Sequence, residues 1–195
     1  MTEKPILFSA PMVRAILEGR KSQTRRVVKP QPVWVGEPGV PFKTRDADPA
    51  GIIRCPYGRA GGRLWVREHH TAWSSTSTCT EIEYPDGTRR LCDHQKGFFI
   101  PAGRRRPSLH MHRWASRITL EITGVRVERV QEISEQDAWS EGFPDPEGQN
   151  RNYPDRARYW FRQLWDSINA ERGYPFVANP YVWVVEFRRV EGGAS

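Results

Sequence analysis

With 195 residues, and 30 basic side chains against 23 acidic ones for a net charge of +7, the chain has the size of one domain with embellishments, able to bury roughly 70% of its unfolded surface. No apolar run approaches the ~20 residues that cross a bilayer, and the opening stretch MTEKPILFSAPM lacks a basic-then-apolar leader, so no membrane association is expected and a cytoplasmic location is. Cys55, Cys79 and Cys92 are an odd number in a chain that needs no staples, which fits free thiols, and the positive surplus points to an anionic partner.

In chain order, Ser9 is placed to cap a short helix with Pro11 in its first turn. Met12, Val13, Ile16 and Leu17 fall on one face, and Gly19 ends it. Thr24 to Lys29 carries β-branched residues and reads as a short strand before Pro30 and Pro32. Residues 30 to 62 hold many prolines and glycines and read as loop. After Gly61 and Gly62, Arg63 to Glu68 alternates as a strand, with Leu64 and Val66 on one side and Arg63, Trp65 and Arg67 on the other. Residues 74 to 112 show no clear period and read as an irregular insertion, as do about 30 to 60.

From Arg117 the alternation returns with Ile118, Leu120 and Ile122, and changes phase at Gly124 toward Val125 and Val127, as a bulge in one long strand requires. Ser134 and Asp137 form a capping-box pattern that starts a short helix, closed by Gly142 after Glu141. Ala157, Trp160, Phe161, Leu164, Trp165 and Ile168 then make a broad apolar stripe at helical spacing. Tyr181 to Val190 closes the chain as a strand with a half-polar face. Strands interleaved with two or three helices, without βαβ repetition, predict a single domain of α+β class or a small mixed β-barrel.

Chemistry concentrates in Gly19-Arg20-Lys21-Ser22-Gln23-Thr24-Arg25-Arg26, between the first helix and first strand. Thr24 and Arg26 share a strand face, so an amine, a hydroxyl and a guanidinium are able to converge there. The plainer alternative is that Gly19 caps the helix, Arg20 and Lys21 complement its dipole, and Thr24 merely suits a strand.

Gly19, Lys21 and Arg26 reproduce the G-x-K-x-x-x-x-R signature of ASCH domains. The flanks are similar too: Ile16-Leu17, the run Arg63-Leu64-Trp65-Val66-Arg67-Glu68, and the closing strand from Tyr181 to Phe187. On these residues the chain resembles the ASCH superfamily, and in wording its phage and prophage members, which implies a fold like that of the PUA RNA-binding domain. Within that superfamily, bacterial N(4)-acetylcytidine amidohydrolases use a lysine, a threonine three residues on, and a glutamate in an alanine-x-x-glutamate turn. The resemblance carries these roles onto Lys21, Thr24 and, through Ala138-Trp139-Ser140-Glu141, Glu141.

It thus implies an amidohydrolase that removes the acetyl group from N(4)-acetylcytidine or a related acylated nucleoside without a cofactor. Thr24 would be the nucleophile, Lys21 the base and Glu141 the acid that protonates the departing amine. Arg26 would stabilise the oxyanion or hold the base carbonyl, and Trp65 and Arg67, on one strand face, would help line the pocket, unless Trp65 only packs in the core and Arg67 only makes a surface ion pair. Two alternatives stay open: a ribonuclease using the same basic cleft, and a non-catalytic module binding RNA. No C-x-x-C pair or zinc quartet occurs, so no metal is expected. His69 with His70, Cys92 with His94, and His110 with His112 are the only concentrations of soft ligands, and His110 with His112 beside Arg104, Arg105 and Arg106 read either as solvated loop or as contacts to RNA phosphates.

Overall fold

The computed structural model describes residues 3–32, 54–76, 78–94, 101–145 and 155–190. The chain falls into two compact units, one of Met1–Glu18, Gly62–Glu121 and Arg188–Ser195, the other of Gly19–Gly61 and Ile122–Phe187. Both combine β-sheet with few helices, the α+β class that the interleaved patterns predict. No helix among the described residues is long and apolar enough to cross a membrane. Most of the loop expected over residues 30 to 62 lies outside the described residues.

The first unit opens with β1 (Glu3–Leu7), absent from the sequence reading, and α1 (Ala10–Leu17). Ser9 sits at the N-cap position in extended conformation but its side chain makes no capping hydrogen bond, while Gly19, at φ +75°, takes the left-handed turn that ends the helix as the sequence anticipates. β2 (Gln23–Val27) belongs to the second unit, and the next strand here is β3 (Arg63–Arg67), which pairs parallel to β1 and antiparallel to the start of β8 (Thr119–Arg129).

A second sheet in this unit, in the order β6-β5-β4-β7, is built from β4 (His70–Ser75), β5 (Cys79–Glu83), β6 (Arg89–Asp93) and β7 (Arg105–Arg106). It corrects the reading of residues 74 to 112 as irregular. The strands are five or six residues at most, too short to show a period, but Pro85-Asp86-Gly87 marks the hairpin: Gly87 has φ +80° and donates to the Tyr84 carbonyl at 2.9 Å. Ile82, Tyr84 and Cys92 then turn inward onto Trp65, Ala72, Met111 and Ala115.

In the second unit β2 (Gln23–Val27) lies antiparallel to β9 (Tyr181–Arg189), and β9 lies between β2 and the body of β8. Above them stand α2 (Glu135–Ser140) and α3 (Arg156–Asn169). Ala157, Phe161 and Trp165 of α3 join Ala138, Val130, Ile133, Phe143, Val182 and Val184 in one core, and full burial of a side chain such as Phe161 contributes about 1.5–3 kcal/mol. Val182, Trp183, Val184 and Val185 are all buried, so β9 is covered on both sides over this stretch and its polar character is confined to its C-terminal end.

Gly124 lies within β8, which runs from Thr119 to Arg129; a Cβ there would come within 2.5 Å of the carboxylate at the end of the Glu186 side chain on β9.

Candidate functional site

The site is assembled where the chain enters β2 in the second unit. Ser22 donates its amide to the Ser140 carbonyl at 2.9 Å, its own carbonyl accepts from Phe187 N at 2.8 Å, and Lys21 forms an isolated antiparallel bridge with Glu141. The entry segment is therefore fixed between the end of α2 and β9. Arg20 reinforces it by donating to the Gly142 carbonyl at 3.1 Å.

Lys21 Nζ donates to Glu141 Oε2 at 2.8 Å and to the Glu141 carbonyl oxygen, also at 2.8 Å. The lysine side chain has 0% of its surface exposed and the glutamate 4%. Burial pushes the Lys21 amine below its ordinary value; the Glu141 carboxylate opposes this, while Arg26 and Arg25 act in the same direction as burial.

Gln23 and Arg25, two residues apart on β2, turn toward α2. Gln23 Nε2 donates to the Asp137 carbonyl at 2.8 Å and to Asp137 Oδ1 at 3.0 Å. Arg25, its side chain wholly buried, reaches three carboxylates: Glu128 at 3.0 Å, Asp137 at 3.2 Å and Glu141 at 3.3 Å. Its guanidinium also lies 5.8 Å from the Phe161 ring centroid. Asp137 has a second duty as the N3 member of the capping box with Ser134. Burial works against its charge, but the bonds from Ser134 and Gln23 and the nearby Arg25 hold its carboxyl below the usual carboxylate range.

Of the residues singled out in the sequence, Lys21 and Glu141 are brought into direct contact. Arg26 stands within electrostatic reach of both; burial lowers its pKa first of all, Tyr57 and Glu141 oppose this, and a guanidinium remains charged throughout. Thr24 is 3% exposed on the β2 face it shares with Arg26, and its hydroxyl makes no hydrogen bond among the described residues. Trp65 and Arg67 belong to the first unit, where the Arg67 guanidinium lies 4.6 Å from the Trp65 ring centroid and Trp65 packs into the core.

Sequence reasoning passed over Arg25, Gln23, Glu128 and Asp137. The signal for the first two was present: positions 23 and 25 alternate against 24 and 26, so a strand that presents Thr24 and Arg26 together must present Gln23 and Arg25 on the other face. Nothing local pointed to Glu128.

A cleft of about 560 Å3 opens on the outer side of the same segment, lined by Ser22, Trp139, Ser140 and Phe143 among others. Neither Lys21 nor Glu141 lines it. Among the described residues no group of three or more His, Cys, Asp or Glu is arranged to hold a metal ion, and the carboxylates around Arg25 are engaged by its guanidinium.

No family model matches the chain, and no curated protein matches it. Among solved structures it is similar to an ASCH domain from Lactobacillus crispatus JV V101, at 16% identity over 96% of this chain and 79% of that one, with a TM-score of 0.44. It is also similar to the DUF984 protein EF3133 of Enterococcus faecalis V583, at 10% identity over 97% of this chain and 82% of that one, again with a TM-score of 0.44.

Proposed function

We propose that the Lys21–Glu141 pair is the acid–base centre of an ASCH-type amidohydrolase that cleaves the N-acyl bond of N(4)-acetylcytidine or a related acylated nucleoside, with Thr24 as nucleophile and no cofactor. One observation carries this reading. The two side chains that the resemblance to N(4)-acetylcytidine amidohydrolases assigns as base and acid, far apart in sequence, meet at 2.8 Å with almost no surface exposed.

A buried ion pair and its neutral tautomer hold the same number of protons, and low dielectric favours the neutral form. Transfer of one proton from the Lys21 ammonium to Glu141 yields a free amine beside a carboxylic acid, the form suited to catalysis. Lys21 then accepts the Thr24 hydroxyl proton as the oxygen attacks the acyl carbon. Arg26 stabilises the oxyanion. When the carbon–nitrogen bond breaks, Glu141 gives its proton to the exocyclic nitrogen, releasing cytidine and leaving acetyl-Thr24. Water, deprotonated by the same centre, hydrolyses this ester to acetate and restores the hydroxyl.

The test is incubation of the protein with N(4)-acetylcytidine and chromatographic detection of cytidine. Turnover is expected in the wild type and its loss in Lys21→Met, Thr24→Val and Glu141→Gln. Absence of cytidine with folded wild-type protein overturns the activity; unchanged turnover in Thr24→Val overturns the nucleophile alone.

A second reading, RNA binding without chemistry, is favoured by the 0% and 4% exposure of the pair, which suits a structural brace. It predicts that labelled RNA shifts in mobility, is not shortened, and is held less tightly as salt rises, while N(4)-acetylcytidine stays intact.

A further inference from the structure

The first unit contains a group of cations that the reading above leaves unused. His70 opens β4 and stands in register with Arg106 of β7. Arg67 closes β3, with its guanidinium over Trp65. His112 stacks on Trp114 with ring centroids 5.7 Å apart and planes 5° apart, and His94 meets the same indole at 4.8 Å.

Among the described residues Arg67 and Arg106 form no ion pair, and the Nε atoms of both are buried without a hydrogen-bond partner. His70 is 2% exposed; one ring nitrogen, Nδ1, lies 3.3 Å from the Glu68 carbonyl, while Nε2 is buried with no partner. The nearest carboxylate in sequence, Glu68, is turned away and held by Arg117 at 2.8 and 2.9 Å. Burial is the main influence that lowers the pKa of both His70 and His112. The charges that add to it are all cationic or able to become so: Arg106, His112 and His69 for His70, and Arg106, Arg67 and His94 for His112.

Cations gathered and half-buried without counter-charge repel one another in a medium that screens poorly, and a bound anion removes that penalty. Guanidinium groups fit the oxygens of phosphate through two parallel hydrogen bonds, and a histidine that takes up a proton offers one more donor. We infer that Arg67, His70, Arg106 and His112 form an oxyanion site that takes the phosphate group of a nucleotide or polynucleotide, Nε2 of His70 being the buried donor once protonated. This site is independent of the chemistry assigned to Lys21 and Glu141.

The experiment is calorimetric titration of the full chain with inorganic phosphate, with adenosine monophosphate and with a short 5′-phosphorylated oligoribonucleotide, together with nitrogen NMR of the histidine rings. Binding of at least one of the three is expected, with a shift of the His70 ring resonances. Arg106→Gln and Arg67→Gln are each expected to weaken it about tenfold, with Arg106→Lys retaining part of the affinity. His70→Gln, which keeps the size but not the titration, should abolish the ring signal and weaken binding less. Arg158→Gln, at an exposed position of α3 in the second unit, is the control and leaves binding unchanged. If phosphate and monophosphate bind alone, the ligand is a small phosphate; if only the oligonucleotide binds and its salt slope falls by about one in Arg106→Gln, it is a polynucleotide backbone. Failure of all three to bind, or binding indifferent to both arginine variants in protein with wild-type circular dichroism, overturns the inference.

Discussion

Lys21 and Glu141, separated by 120 positions, are held to each other twice: through the ion pair at 2.8 Å and through the bond from the same ammonium to the glutamate's own carbonyl at 2.8 Å. Lys21 thus holds the C-cap residue of α2 by both its carbonyl and its side chain. Both groups are almost wholly buried, and Glu141 has a second cation in Arg25 at 3.3 Å.

This sets the first prediction. Glu141→Leu alone should lower stability by about 3–5 kcal/mol, because it leaves the buried Lys21 ammonium without its carboxylate, and Lys21→Met should cost less, because Arg25 still faces Glu141 at 3.3 Å. The double variant should lie closer to the wild type than the sum of the two, by about 1 kcal/mol or more. Urea unfolding of the four proteins completes the cycle; additivity would mean that the two groups do not interact.

Arg25 is the second. It faces Glu128, Asp137 and Glu141 at 3.0 to 3.3 Å, and only a planar fork reaches three carboxylates at once. Arg25→Met should therefore destabilise by about 3–5 kcal/mol, and Arg25→Lys should restore less than half of the loss. Thermal unfolding measures both, and full rescue by lysine would contradict the role of the fork.

Glu68 yields a pH prediction. Burial raises its pKa above 4.5 although Arg117 bonds to it, so the folded state holds this proton to higher pH than the unfolded chain does. The stability it contributes is complete below pH 4.5 and is lost as pH rises through the folded value. Wild type minus Glu68→Gln should consequently shrink as pH rises above 4.5 in denaturant titrations; a growing difference would reverse the assigned sign.

For Gly124 the expectation is mild. An alanine Cβ would press on the Glu186 carboxylate, the mobile end of a long side chain that also bonds Arg126, and the backbone at Gly124 is not left-handed. Gly124→Ala should cost less than about 1 kcal/mol, since the carboxylate is able to swing away; a larger loss in urea unfolding would show that β8 and β9 are too tightly fixed to adjust.

If the Lys21–Glu141 pair acts with one shared proton, the rate of N(4)-acetylcytidine cleavage should fall as pH rises and that proton is lost, at a pH below 10.5 because burial lowers the Lys21 value. A rate that keeps rising up to pH 10.5 would remove the pair from that role.

The sequence by itself determined the elements with strong local signatures. Pro11 and Gly19 bounded α1, Ser134 with Asp137 started α2, the Phe161–Trp165 stripe made α3, and the alternation of Ile118, Leu120 and Ile122 marked β8. These signals are local because helix ends, turns and one buried face depend on neighbours a few residues away. The resemblance to ASCH amidohydrolases, rather than any local pattern, paired Lys21 with Glu141. The tertiary structure alone decided that they touch, that Arg25 and not Arg26 binds the carboxylates of α2 and β8, and that residues 79 to 93 pair as a hairpin against β4. Which side chains a buried arginine meets is set by the pairing of strands distant in sequence and the helix packed over them, and no period within the chain encodes that distance.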